Sequence, residues 1–423
     1  MTEANLDNVS KWETAMKDPF REKLLPVGKD FPQKVQSCAE PVRDDPVFDP
    51  SMIAKMAGKI NLPSKAVFPH PMLERVVRVG LAHIDATFKG NHPKYGAGIY
   101  SHDCHDSFPP VIISVVDALT LWGMTSRAEE IFEYWLNTFV RSDGTINYRG
   151  TSLSEMGMLL TSVWRMVERG AKAEWLNTNL AKINLIAKWL RDLINSTEPN
   201  RLLFGVPEDD ERGNPATYFH NNAWVVRGLR DWAIVIDKYL NQKQEAVQIQ
   251  HETALLQKLL IEVMTEIWPK DPSDWWLRPT IEKVSDEPAQ RPAQIISTRF
   301  GSYTNYRYWP ELMSSGILPK ELMERMVKAR LNSGGQFCGT TRFENHLDDW
   351  PLAEWLEGLW NLSLYDDFML CLWGHIYYHQ AEGHLTAYEQ VTFPPGRQYK
   401  TAAYCVPCQL VAVRAARHIV QDK

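Results

Sequence analysis

From Phe68 onward, apolar residues recur three and four positions apart through most of the chain, the spacing that turns one face of an α-helix toward a core. The pattern predicts helices over Met72–Phe88, Pro110–Trp122, Arg127–Val140, Ser152–Glu168, Glu174–Ile194 and Thr217–Leu240. It continues over Glu245–Trp268, Glu311–Leu318, Lys320–Leu331, Pro351–Leu362, Asp366–Gln380 and Thr401–Val420, with few convincing strands between. Punctuation residues agree: Ser126 is placed to cap the third helix, and Pro319 precedes the ninth. Gly123 and Gly170 fall just past the ends of apolar runs. Residues 1–66 lack sustained periodicity and read as an irregular arm with short helices over Asn5–Met16 and Pro50–Ala57. The helical domain then spans 67–423.

The connections alternate between short and long. Six are long: Lys89–Pro109, Arg141–Thr151, Ser196–Ala216, Pro269–Pro310, Asn332–Trp350 and Ala381–Lys400. Twelve helices with a long loop at every second junction predict an all-α fold, an (α/α)6 toroid of six hairpins with the loops gathered at one mouth. A solenoid of stacked helix pairs would show more regular connections and fewer loop aromatics.

Composition narrows the function. Lys and Arg number 46 against 52 Asp and Glu, and no run of like charge stands out, so neither nucleic acid nor a membrane surface is an expected partner. Sixteen Trp and fifteen Tyr supply flat rings with a polar edge, which suit a sugar face as well as a core. The six cysteines are too sparse for a disulfide scaffold. Cys405-Val-Pro-Cys408 has redox spacing but no βαβ surroundings. The start lacks an apolar signal region and no span is apolar enough for a membrane helix, so a cytoplasmic protein, a processed form or a fragment is expected. The pattern calls for no cofactor and no metal, and sets no oligomeric state.

The loops hold the chemistry. Glu389 lies in Gly383–Val391, GHLTAYEQV, between Tyr388 and Gln390 and ahead of a Pro-Pro-Gly turn, which fits a held acid or base better than a solvated charge. An ordinary loop carboxylate is the plain alternative. The first long loop packs Tyr100, His102, Asp103, His105 and Asp106 together. A His-x-x-His metal site is possible there, but sugar-binding polar groups with Asp103 or Asp106 as an acid, or a helix start capped by Asp106 or Ser107, suit the pattern better. The third holds Glu208, Asp209, Asp210 and Glu211, then Tyr218, His220, Asn222 and Trp224. Crowded acids raise the pKa of at least one member, as a general acid requires, although they also suit a helix N-terminus. Tyr306, Arg307 and Trp309 follow in SYTNYRYWP, with Trp276 upstream as a wall or lid. His346, Asp349 and Trp350 follow in RFENHLDDW, beside Glu344 and Asp348. Gln390 and Tyr404 complete the candidate substrate-binding set.

Such a mouth suits glycoside cleavage, in which one carboxyl protonates the leaving oxygen and a second activates water or attacks carbon. Glu389 would be the base, and Asp106, Asp210, Glu211 or a neighbour the acid. Over about residues 68–420 the chain resembles the six-hairpin glycosidases, the rhamnosidase-like and glucoamylase-like enzymes and the trehalases. Glu389-Gln390 is similar to the glucoamylase Glu-Gln pair that carries the base. Tyr100–Pro110 resembles the acidic loop of rhamnosidase-like members, without the neighbouring Arg, and Gly205–Trp224 resembles their middle loop. Tyr404-Cys405 stands where those enzymes often have His and Trp. The likeness implies a glycoside hydrolase of the inverting kind, acting on an oligosaccharide, polysaccharide or glycoside. Two other readings stand beside it. One is a polysaccharide lyase or sugar epimerase using Tyr218, His220, Asn222, Tyr306 and Arg307. The other is a non-catalytic helical-repeat binding protein.

Overall fold

Two kinds of helix alternate along the chain: in one nearly every position is buried, in the other only a stripe. The computed structural model describes residues 50–94, 105–208, 214–271, 273–285, 287–288, 290–380, 385–392, 400–401 and 405–422. Its helices are α1 (Pro50–Ala57), α2 (Pro71–Thr87), α3 (Pro109–Leu121), α4 (Thr125–Phe139), α5 (Leu153–Glu168) and α6 (Ala173–Ser196). They continue as α7 (Phe219–Leu240), α8 (Lys243–Ile267), α9 (Arg299–Tyr303), α10 (Trp309–Ser314) and α11 (Lys320–Asn332). Last come α12 (Leu352–Asn361), α13 (Tyr365–Tyr378), α14 (Val406–Gln409) and α15 (Val411–Ile419).

The almost fully buried helices form a closed ring. α3 packs on α5, α5 on α7, α7 on α10, α10 on α12, α12 on α15, and α14 and α15 return to α3. Outside lie α4, α6 and α8, of the striped kind, and α13, which is buried throughout Phe368–Ile376; each packs on the inner helix that precedes it, and α2 packs on α15. This is the (α/α)6 toroid. Helix α6 shows why an outer helix is amphipathic: Trp175, Leu176, Asn179, Ile183, Ile186, Ala187 and Leu190 are its buried stripe. The inner helices α5 and α7 meet backbone to backbone. A Cβ on Gly228 would lie 2.5 Å from the Gly157 Cα, and one on Gly157 would lie 2.5 Å from the Trp224 carbonyl carbon.

The helix set follows the sequence pattern closely, with four departures. The long segment before Glu311 ends not in a loop but in α9, whose Thr298 cap accepts from the Gly301 N–H (3.1 Å). A π-helical turn over Thr304–Tyr308 joins α9 to α10. Pro310 explains the widening: it has no N–H, and its ring would press on the carbonyl one turn back. All five residues of that turn are buried, so no amphipathic stripe announces them. Second, the fifth and sixth long loops are knitted into an antiparallel sheet. Counting the chain's short strands in order, β1 (Ala66–Val67), β2 (Phe88–Lys89) and β3 (His92–Pro93) precede it. The sheet runs β4 (Gln336–Phe337), β5 (Thr340–Phe343), β6 (His346–Asp348), β7 (Gln390–Thr392) and β8 (Lys400–Thr401), neighbours in sequence order. The final apolar run therefore becomes helical at Val406 rather than Thr401. Strand β9 (Gln421–Asp422) pairs with β1.

Third, Ser126 does not cap α4, which starts at Thr125 behind Met124. Fourth, neither Asp106 nor Ser107 caps α3: Phe108 holds that position without a side-chain bond, and the Ser107 hydroxyl donates to the Asn147 carbonyl. Gly123 and Gly170 do take positive φ, 76° and 94°, past α3 and α5, and α1 spans the predicted Pro50–Ala57. The expected helix over Asn5–Met16 lies outside the described residues. Among the described residues, no helix is long and apolar enough to cross a membrane.

Candidate active site at the mouth of the toroid

The π-turn aims two neighbouring side chains into the same buried space. The Arg307 Nε lies 2.5 Å from Glu311 Oε1, one helical turn on, and 3.2 Å from Glu208 Oε2 of the third long loop. Its guanidinium sits 4.3 Å from the centroid of the Trp350 ring, a cation–π contact strengthened by the absence of water. Burial is the largest influence on Glu311. It pushes the carboxyl up to about 7 against the opposing charge of Arg307 and a Ser154 hydrogen bond, while Glu155 and Glu354 add to the rise. His220 stacks on Tyr308, centroids 4.7 Å apart and planes within 8°. Burial first, then Arg307, pushes this imidazole well below its ordinary range. The 3.7 Å approach of its Nε2 to Glu311 Oε2 is therefore contact with a neutral ring, not an ion pair.

Tyr306, the neighbour of Arg307, shares that space. Its ring stands edge-on to Phe343 (5.1 Å) and Trp350 (6.2 Å). Burial, and after it the negative neighbours Asp348, Glu389 and Glu208, push the phenol well above its ordinary range. Asp348, at the end of β6, accepts a hydrogen bond from Tyr306. Its own carboxyl is pushed up, by burial first, against the pull of His346 and Tyr306. Glu389 directly precedes β7, half-buried, with its carbonyl accepting from the Asp349 N–H at 3.4 Å. The strand register sets Asp348 opposite Gln390. Asp349 behaves oppositely to its neighbour. Although burial is the largest single influence, His379, His375 and the Thr341 N–H (2.7 Å) together hold its carboxyl below the ordinary range.

Carboxyls from the third, fifth and sixth long loops thus converge on the π-turn, with Glu208, Tyr306, Arg307, Glu389 and Trp350 brought together as the sequence suggested. Half-buried His346 approaches Asp348 at 3.6 Å. Several other candidates are tied elsewhere. Asp106 Oδ2 binds Lys94 Nζ (2.6 Å) and His92 Nε2 (2.9 Å). Asn222 clamps the Leu203 N–H and carbonyl. Tyr218 donates to the Asn214 carbonyl, Trp224 to that of Glu311 and Trp309 to that of Leu277. Trp276 is buried against Trp275 and Phe300, a core position rather than a lid. Tyr100, His102, Asp103, Asp209, Asp210, Glu211 and Tyr404 lie outside the described residues. Glu311 went unremarked in the sequence. The Arg307-x-x-x-Glu311 spacing was the available signal, hidden by Pro310 between them.

The sequence matches no family model, and no curated protein matches it. Its fold does have relatives among solved structures. A wild-type glycosidase shares it at TM-score 0.55 and 11% identity, over 82% of this chain and 98% of that one. A single-residue variant of that glycosidase gives 0.54 at 11% identity over the same shares. A GH76 α-mannanase from Bacteroides thetaiotaomicron gives 0.48 at 8% identity, over 88% and 99%. At such identities the first two likenesses bear on the fold, and they agree with the helical toroid that the ring of contacts defines.

Proposed function

We propose that the chain is a glycoside hydrolase whose catalytic carboxyls are Glu389 and Asp348. The convergence of Asp348, Glu389 and Glu208 on Tyr306 carries this reading. Hydrolysis of a glycosidic bond needs one carboxyl that keeps its proton and one that does not. Asp348 is the described mouth carboxyl that combines an upward push with a place at the end of a strand of the mouth sheet. Glu389, half-buried beside it, is the reachable base. Asp106 and Glu208 are the less fitting acids, because each carboxylate already faces a cation, Lys94 in one case and Arg307 in the other. Trp350 then serves to bind a sugar ring by stacking, with the buried Arg307 guanidinium packed on the indole to support it. The substrate class is an oligosaccharide, polysaccharide or glycoside.

The test is a panel of glycosides and polysaccharides, read for new reducing ends and for the ultraviolet absorbance of a new double bond. Reducing ends without that absorbance, lost in Glu389→Gln, support hydrolysis. Absorbance that survives in the variant supports a lyase instead.

A sugar epimerase or lyase remains the second reading, and His220 is the observation that favours it. A neutral imidazole beside Arg307 is equipped to take a proton from a carbon next to a carbonyl. Isomerised sugar without new reducing ends, abolished in His220→Ala, would decide for it.

A further inference from the structure

We propose that His375, His379 and Cys408 form a binding site for a divalent transition-metal ion of the zinc type, behind the loop that carries Glu389. One ring nitrogen from each histidine and the Cys408 Sγ lie within 4.8 Å of one another, and all three residues are buried. The histidines are one helical turn apart at the end of α13, with rings 5.4 Å apart and within 12° of parallel. Each has its Nδ1 occupied. His375 Nδ1 meets Asp349 Oδ2 at 3.2 Å, and His379 Nδ1 donates to the Tyr388 carbonyl at 2.8 Å. Hydrogen bonds of this kind fix the tautomer that offers the Nε2 lone pair to a metal.

One detail asks for a cation at that point: the His375 Nε2 is fully buried and has no hydrogen-bond partner among the described residues. Asp349 orients the ligands rather than joining them. Its Oδ2 meets His375 Nδ1, across the ring from Nε2, and lies 3.2 Å from His379 Nε2, while Thr341 N–H holds its other oxygen. Two imidazoles and a thiolate are a zinc-type donor set with a fourth position open. Binding would release the Cys408 thiol proton to solvent, and the Cys408 thiolate with nearby Asp349 would balance the dication.

The ion would tie α13 and α14 together. Tyr388, whose carbonyl accepts from the liganding His379, would be fastened to it next to Glu389. This differs from the sequence expectation of no metal. The histidines and the cysteine lie in different elements, and only the ring closure brings them together.

The experiment uses the full chain, stripped of metal with a chelator and titrated with Co²⁺, after elemental analysis of the protein as purified. About one equivalent of zinc is expected, and Co²⁺ should give a thiolate-to-metal charge-transfer band. That band should vanish in Cys408→Ser and persist in Cys371→Ser. If Cys408→Ser does not fold, the wild-type protein still decides through the Co²⁺ band and a rise in Tm on adding Zn²⁺. A folded wild-type protein with neither would overturn the proposal and leave a protonated His379 paired with Asp349. So would a band that survives in Cys408→Ser, which marks adventitious metal. The hydrolase assay is independent of either result.

Discussion

Arg307 and Glu311 face each other across one turn of helix, Nε to Oε1 2.5 Å, and both are sealed from solvent. The contact is ionic rather than an aligned hydrogen bond, since neither atom meets hydrogen-bond geometry. Removing the cation would leave Glu311 and Glu208 buried without it. Arg307→Ala is therefore expected to destabilise the protein by about 3–5 kcal/mol, the cost of breaking a buried pair from one side. Urea unfolding measures this, and a loss below about 1 kcal/mol would show that water or a rearranged neighbour replaces the guanidinium.

Glu311 also makes stability depend on pH. Its carboxyl ordinarily titrates near 4.5 and in the fold near 7, so between those values the folded protein holds a proton that the unfolded chain has released. Stability from this group is thus intact below about pH 4.5, falls as pH rises to about 7, and is flat above. The difference is on the order of 3 kcal/mol. Glu311→Gln should be nearly neutral at low pH and relatively stabilising above pH 7. Unfolding free energies of both proteins across pH 4–8 would test this, and a constant gap between them would refute the assignment.

For the proposed chemistry, Glu389→Gln and Asp348→Asn should each lower kcat by about 10²–10⁴, the range for a lost acid or base, with KM changing little. The two variants should differ in their pH profiles. Asp348→Asn should lose the alkaline limb, because the acid is the group that must keep its proton, and Glu389→Gln the acidic limb. Trp350→Ala should instead raise KM, since it removes a stacking face and a support for Arg307. If Asp348→Asn turns over as fast as the parent protein, the acid lies elsewhere.

Farther along the inner helices the toroid is crossed by a second ionic group. Arg414 of α15 binds Asp117 of α3 (2.7 Å) and Glu354 of α12 (2.9 Å). Asp117 also meets Arg165 of α5 and Arg169 just past its end, at 3.3 and 2.7 Å. Burial opposes the charge on Asp117, yet the three guanidinium groups together hold it far below the ordinary range. Stability from Asp117 is accordingly present above about pH 4 and lost as pH falls below it. Arg414→Ala should cost about 3–5 kcal/mol, because it opens the ring closure between its first and last inner helices. Thermal unfolding should show a lowered Tm, and an unchanged one would mean that the closure rests on apolar packing alone.

The ring was legible in the chain because twelve apolar runs and six polar loops leave little else to build. Outer helices such as α6 declare themselves through their stripe. What escaped was structure without a period. The π-turn at Thr304–Tyr308 is buried on every side, and the sheet joins short strands from loops far apart in sequence, such as β6 and β7. The site was legible in part for the same reason. Glu389, Tyr306, Arg307 and Trp350 stood out as unusual residues in loops, whereas Glu311 sat inside a predicted helix. Asn222, Trp224 and Trp309 looked like site residues because a polar or aromatic side chain near a helix start looks alike whether it holds substrate or backbone. Only their hydrogen bonds to Leu203, Glu311 and Leu277 tell the difference.

The tightest inner contact offers a test that involves no charge. Gly157 on α5 and Gly228 on α7 are not in the left-handed region, so an alanine at either site suffers no backbone penalty and would gain helix propensity. Against that gain, a Cβ at Gly228 would lie 2.5 Å from the Gly157 Cα and 2.7 Å from its carbonyl carbon. Those are backbone atoms, which cannot rotate aside. Gly228→Ala should therefore destabilise by about 1–3 kcal/mol through overpacking, despite a propensity gain of about 1 kcal/mol in the other direction. A stabilised Gly228→Ala protein in urea unfolding would mean that α5 and α7 can separate without loss. The inner ring would then be looser than its closest contact implies.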